Sequence, residues 1–157
     1  MIEAEEIIES RIVALLSAAV PALDVIGALS PVEAGEMKHA ALSCISVFVD
    51  LASQNLDWQG AGYPCTWSVR ILLRVEEADD KTFALFRDSA RSIRGALSPL
   101  AGDGCEALDF GGFECDAFTL DSTETALDSA GDDAAMTKTY NATVQGRFIP
   151  QTPKEEI

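Results

Sequence analysis

The sequence has few basic side chains, and it has none at all between Arg94 and Lys138. Its 157 residues carry 11 Lys and Arg against 26 Asp and Glu, which gives a formal net charge of −15. A surface this acidic repels phosphate, whereas proteins that bind nucleic acid usually carry the opposite charge. The composition therefore argues against sequence-specific binding of nucleic acid, but it suits a protein that lines a passage through which DNA slides without sticking.

Residues that commonly carry out chemistry are also scarce. His39 is the only histidine, and no serine or cysteine motif of a nucleophilic triad accompanies it. GAGYPCT (60–66) lacks the lysine of a phosphate-binding loop, so we expect a turn there. The four cysteines form no CxxC pair, which predicts reduced, mostly buried thiols rather than disulfides or a zinc site: Cys44, Cys65, Cys105 and Cys115. We expect no enzyme and no cofactor.

Long hydrophobic runs are absent as well. The apolar stretch 12–29 is interrupted by Pro21, Asp24 and Gly27, and it follows an acidic segment. It predicts neither a signal peptide nor a membrane span. We expect a chain that is made in a cytoplasm and does not enter a membrane.

The pattern that is present predicts an α+β fold. Ile8, Ile12, Leu15 and Ala19 recur at helical spacing in the first segment, and Pro21 ends it. Residues 21–38 are interpreted as an irregular connection. Strand alternation follows twice: at Ile45, Val47, Val49 and Leu51, and at Trp67, Val69, Ile71, Leu73 and Val75.

The second half predicts one more helix and two more strands. The helix is capped by Asp79 or Asp80, and its apolar positions are Phe83, Phe86, Ala90, Ile93 and Leu97. ALDF and FECDAFTLD then flank Gly111-Gly112, which predicts either a tight hairpin or one strand broken by a bulge. The last strand places Tyr140, Ala142, Val144 and Phe148 on one face. The prediction is a four-stranded, mainly antiparallel sheet with two helices on one face, in the order α-β-β-α-β-β.

We expect residues 1–150 to form a single domain, with a long acidic loop at about 121–137 and a loose C-terminal tail at 151–157. The loop is distinctive because STETALDSAGDDAAMTK (122–138) shows neither helical nor strand periodicity. Its carboxylates are Glu124, Asp128, Asp132 and Asp133. Their spacing does not match a calcium-binding EF-hand loop, so a solvated acidic loop is favoured, and a site for a hard cation is the alternative.

Charge is unevenly distributed along the chain. Ten carboxylates fall between Arg94 and Lys138, directly after the stretch that holds most of the basic charge. Arg87, Arg91 and Arg94 are spaced to lie along one helix face, and Arg70 and Arg74 precede them. Two solvated faces would explain this pattern. The alternative is that the basic face of one subunit meets the acidic face of the next, head to tail, which closes into a ring when the rotation allows.

The order of elements over most of the chain resembles the tail terminator (tail completion) proteins of long-tailed bacteriophages. The resemblance lies in an N-terminal amphipathic helix, the strand segment TWSVRILLRVEEADD, the helix KTFALFRDSARSIRGAL and the closing strand TKTYNATVQGRFI after an acidic segment. It implies a virion subunit, assembled in the bacterial host cytoplasm, that forms a hexameric ring. Such a ring caps the tail tube, stops its elongation and joins the tail to the head.

The resemblance also implies partners: identical copies, the tail tube protein, and a head-tail connector or stopper protein, with DNA passing through the ring. The acidic loop would then line the bore or contact a partner, and the basic residues would form the contact between subunits. Three alternatives stay open: another neck or tail component of a phage, a small acidic enzyme domain that binds a metal or metabolite, and an adaptor that pairs with a basic host protein.

Overall fold

A computed structural model describes residues 4–27, 43–54, 63–76, 84–128 and 135–148. These residues form two α-helices, a short 3₁₀ helix and five strands. The helices are α1 (Ala4–Ala19) and α2 (Ala84–Ala101), and the 3₁₀ helix spans Cys105–Leu108. The strands are β1 (Asp24–Gly27), β2 (Cys44–Gln54), β3 (Tyr63–Glu76), β4 (Phe113–Asp128) and β5 (Ala135–Phe148). Neither helix in the described part of the chain is long and apolar enough to cross a membrane.

The five strands form one sheet in the order β1-β2-β3-β5-β4. All neighbours are antiparallel except β1 and β2, which are parallel. The α+β class and the mainly antiparallel sheet are confirmed, but the predicted number of four strands is wrong. The additional strand, β1, lies in the segment interpreted as an irregular connection. Its four residues are too few to show alternation, and its pairing with β2 depends on tertiary structure that the local sequence does not encode.

One face of the sheet carries the hydrophobic core, as the alternation in β3 predicts. Trp67, Val69, Ile71, Leu73 and Val75 are each at most 2% exposed. Neighbouring strands add to the same cluster, and both helices cover it. Its members from β2 and β5 are Ile45, Val47, Val49, Tyr140, Ala142 and Val144. The opposite face of the sheet, called the open face below, carries the alternate residues.

The helical stripes are confirmed with two adjustments. In α1, Ile8 and Ile12 are buried as predicted, but the next core position is Leu16, while Leu15 is only partly buried. In α2, the buried residues are Phe86, Ser89, Ile93, Leu97 and Leu100, whereas Ala90, predicted as part of the stripe, is only partly buried. The predicted cap at Asp79 or Asp80, together with Phe83, lies outside the described residues.

The predicted loop at about 121–137 is wrong for most of its length. β4 continues to Asp128, and β5 already begins at Ala135, its partner in the register. β4 is an edge strand whose register shifts twice, between Cys115 and Ala117 and between Leu120 and Ser122. Residues 121–126 are exposed, so selection for apolar alternation is weak there and the periodicity of a buried strand is missing. The tail at 151–157 lies outside the described residues.

Strand alternation also fails at the end of β2. Leu51, predicted to lie on the buried face, is 40% exposed. The pairing of β2 with β3 shifts register between Leu51 and Ser53. Next to this irregularity, the buried positions of β2 end at Val49, two residues earlier than the sequence suggests.

Candidate functional site: two charged grooves

A basic groove lies between α2 and the β4-β5 end of the sheet. Arg87, Arg91 and Arg94 come from one face of α2, as the helical spacing predicts, and Lys138 joins them from β5. The groove has a volume of about 390 Å³, and its other lining residues are mostly apolar or aromatic: Phe86, Ala90, Leu120, Thr123 and Tyr140. Among the residues that the structure describes, no carboxylate lines it. The site therefore combines an apolar floor with a cationic rim.

Tyr140 forms the centre of this floor. Its hydroxyl donates a hydrogen bond to the backbone oxygen of Ala90 in α2, 3.3 Å away, and Lys138 Nζ lies 5.6 Å from its ring centroid. Burial raises the pKa of Tyr140 to about 12, against the smaller opposing effect of the nearby Arg94 guanidinium. The phenol is therefore neutral at physiological pH and acts as a fixed, uncharged part of the groove.

The cations of the groove have few acidic neighbours. Arg91 Nη1 lies 3.5 Å from Asp88 Oδ1, one helical turn earlier, but both side chains are more than 70% exposed. An ion pair of this kind contributes little to stability. Arg87, Arg94 and Lys138 form no ion pair with any other residue that the structure describes.

The predicted basic face is divided by the sheet. Arg70 and Arg74 alternate with the buried residues of β3, so they lie on the open face, away from α2. Arg74 is largely buried and lies 3.8 Å from Glu76 Oε1. The five arginines therefore do not form one surface, because the period of a strand and that of a helix separate positions that are close in sequence.

A second, larger groove occupies the open face. Its volume is about 780 Å³, and it is lined mainly by polar residues of the four longer strands, around Phe48 and Leu72. Three carboxylates line it against one cation: Asp50, Asp121 and Glu124 against Arg70. Asp121 Oδ2 accepts a hydrogen bond from Thr143 Oγ1 at 2.5 Å. The open-face groove is thus net negative, while the α2 groove is net positive.

The predicted acidic residues are only partly placed. Glu124 is exposed in the open-face groove, and Asp128 ends β4. Asp132 and Asp133 lie outside the described residues, as does His39. Among the residues that the structure describes, no group of three or more His, Cys, Asp or Glu side chains could hold a metal ion.

The sequence did not predict the contacts of three residues of β5: Lys138, Tyr140 and Arg147. Lys138 and Tyr140 reach the α2 groove from the last strand, far along the chain. Arg147 on β5 bridges two carboxylates of β4, with its Nη2 3.4 Å from Glu114 Oε2 and 3.1 Å from Asp116 Oδ1. Opposite charges on both strands were the available signal, but it required the β4-β5 register.

The four cysteines are free thiols. Cys44, Cys65 and Cys115 are buried, and Cys105 is partly buried. Burial is the main cause that raises the pKa of each of these three thiols. The pKa of Cys115, which also contacts Cys105, rises to about 12. These groups are poor nucleophiles.

Comparison with known proteins gives a likeness of fold. No family model matches the chain, and no curated protein matches it. Among solved structures, a chain in the virion of a native gene transfer agent (GTA) particle has a TM-score of 0.51 at 19% sequence identity. The match covers 85% of this chain and 86% of that chain. The two chains share a fold over nearly their whole lengths.

Proposed function

We propose that the chain is a structural protein of a virion, and specifically the tail terminator of a long-tailed bacteriophage. The observation that carries the proposal is the fold shared with a virion chain over most of both lengths. The order of elements, which resembles that of tail terminator proteins, agrees with this role. In this role the subunit forms a ring, hexameric in the resembling family, that caps the tail tube, stops its elongation and joins the tail to the head.

The electrostatics of the chain suit a ring through which DNA passes. With a net charge of −15, such a ring repels phosphates around its bore and does not trap them. The carboxylates from Glu124 to Asp133 either line the bore or contact a partner. The partners in this role are identical copies, the tail tube protein and a head-tail connector or stopper protein. The subunit acts at the neck end of the tail and has no catalytic activity.

Disrupting the gene in the phage that carries it tests the role. Without a terminator, tail tubes should grow to uncontrolled lengths, and filled heads should accumulate without tails. Electron microscopy of lysates measures both, and a plasmid copy of the gene should restore uniform tails. Tails of normal length without heads would identify a head-side neck protein instead, and absence of tubes would identify a tube component.

Two further measurements test the position of the acidic residues in the ring and the alternative of a cation-binding enzyme domain. Amide replacement in the variant D128N/D132N/D133N should leave rings intact but increase their retention of double-stranded DNA at low salt, measured by filter binding. Unchanged retention would remove these residues from the bore. Titration with divalent cations tests the enzyme-domain alternative, because a true cation site raises the melting temperature by mass action.

A further inference from the structure

We infer that the α2 groove is a docking site for a second copy of this chain, whose Asp121 and Glu124 it binds. The inference rests on the proposed ring and specifies the contact that would build it. The groove consists of the cations Arg87, Arg91, Arg94 and Lys138 around the apolar floor of Phe86, Ala90, Leu120 and Tyr140.

The positive charge of the α2 groove indicates that its partner is acidic. Arg87, Arg94 and Lys138 have no carboxylate partner among the described residues, and the rest of the chain is strongly acidic. Another copy therefore brings the complementary charge on its open-face groove, where three carboxylates face one arginine. An apolar centre with a charged rim is also the usual arrangement of a protein-protein interface. A phosphate backbone would make no use of the apolar floor.

The spacing of the charged residues on the two surfaces supports the same contact. Arg87 and Arg94 are seven helical residues apart, which is about 10.5 Å along α2. Asp121 and Glu124 both line the open-face groove although they are three residues apart, because the register of β4 shifts between Leu120 and Ser122. Their separation along β4 is therefore that of about two regular strand residues, roughly 7 Å. The two carboxylates on the strand therefore fit within the row of guanidinium groups that runs from Arg87 through Arg91 to Arg94.

The placement of the two surfaces makes the contact head-to-tail. Thr123 lines the α2 groove, and the next residue, Glu124, lines the open-face groove, because successive residues of a strand point to opposite faces. A copy that docks its open face on its neighbour leaves its own α2 groove free for the next copy. Such a heterologous contact closes into a ring or continues as a filament.

Charge reversal on each side tests the docking. In solution, the wild-type chain should self-associate in light scattering, and association should weaken as salt rises. The groove variant R87E/R94E and the acidic-side variant D121K/E124K should each be monomeric. Mixed in equal amounts, they should associate again, because each reversed surface finds a reversed partner. This recovery also shows that both variants are folded. Arg11→Glu, at an exposed position on α1 outside both grooves, changes the charge as much as either groove substitution does alone and should not weaken association.

Several results would overturn the inference. They are a wild-type chain that stays monomeric up to millimolar concentration, variants that associate like wild type, or a mixture that stays monomeric while circular dichroism shows both variants folded. Binding of labelled double-stranded DNA that R87E/R94E abolishes would also overturn it by identifying a nucleic-acid site. If tails lose length control in the disrupted phage while R87E/R94E still restores it, the terminator role stands and this docking site does not.

Discussion

Among the glycines that the structure describes, Gly146 is the one at which an added methyl group would meet the closest atoms. A Cβ atom placed on Gly146 would lie closer than 3.0 Å to the Phe113 ring and to the Glu114 carbonyl oxygen. The Phe113 side chain is 1% exposed, and its ring centroid lies 4.9 Å from those of both Trp67 and Phe110. The ring cannot move away without losing these contacts, and the carbonyl belongs to the β4 backbone.

We therefore expect Gly146→Ala to destabilise the chain by about 2 to 3 kcal/mol, at the upper end of the usual cost of overpacking. For a chain of this size, that corresponds to a fall in melting temperature of about 4 to 12 °C. Gly95→Ala is the matched control, since nothing lies within 4 Å of a Cβ at this exposed position in α2. The control should raise stability by about 1 kcal/mol, because glycine is a poor helix former.

Urea denaturation of the wild type and both variants measures these changes, with the free energy of unfolding extrapolated to water. A double-mutant cycle with Phe113→Leu isolates the ring contact, because a smaller side chain should tolerate the new methyl group better. A Gly146→Ala variant as stable as wild type would refute the close approach of β4 to β5. An equal loss in the Phe113→Leu background would show that the ring is not the cause.

Three further predictions concern individual side chains. Burial raises the pKa of Tyr140 from 10 to about 12 in the folded chain. The contribution of the neutral phenol to stability should therefore be intact below pH 10 and lost as the pH rises through 12. Absorbance at 295 nm should show a late-titrating phenol that is absent in Tyr140→Phe. With the thiol reagent DTNB at pH 8, Cys105 should react first, because the other three thiols are buried. Rapid reaction of all four cysteines in the folded chain would contradict this burial. Arg147→Met should lower the free energy of unfolding by about 1 kcal/mol or less, and by less still in high salt, since the bridged carboxylates are about half exposed. A loss in urea denaturation that does not depend on salt would mean that packing and not charge is responsible.

Segments with a strong local period were predictable. In β3 every second residue is apolar, and a one-residue slip would expose all of them, so the pattern determines both the strand and its buried face. The apolar stripe of α2 is equally clear, and so is the arginine row beside it. In these segments one period runs through the whole element and agrees with burial.

Pairing between distant segments was not predictable. β1 has only four residues, and it is a strand because β2 lies beside it. Residues 121–126 of β4 are exposed, so their sequence is free to be acidic and rich in small residues, and only their register with β5 makes them a strand. For the same reason, nothing in the local sequence joined Lys138 and Tyr140 to the arginines of α2.

The strand structure of the acidic segment changes which experiment is informative. If residues 122–138 were a loop, deleting 124–134 would leave the subunit folded and would test the role of the segment. In the structure, residues 124–128 pair with residues 135–139 of β5, so the deletion would remove part of the sheet. A loss of tail completion would then report misfolding as readily as a lost contact. Substitution of single carboxylates keeps the pairing of the strands, because backbone groups make it, and so separates charge from fold.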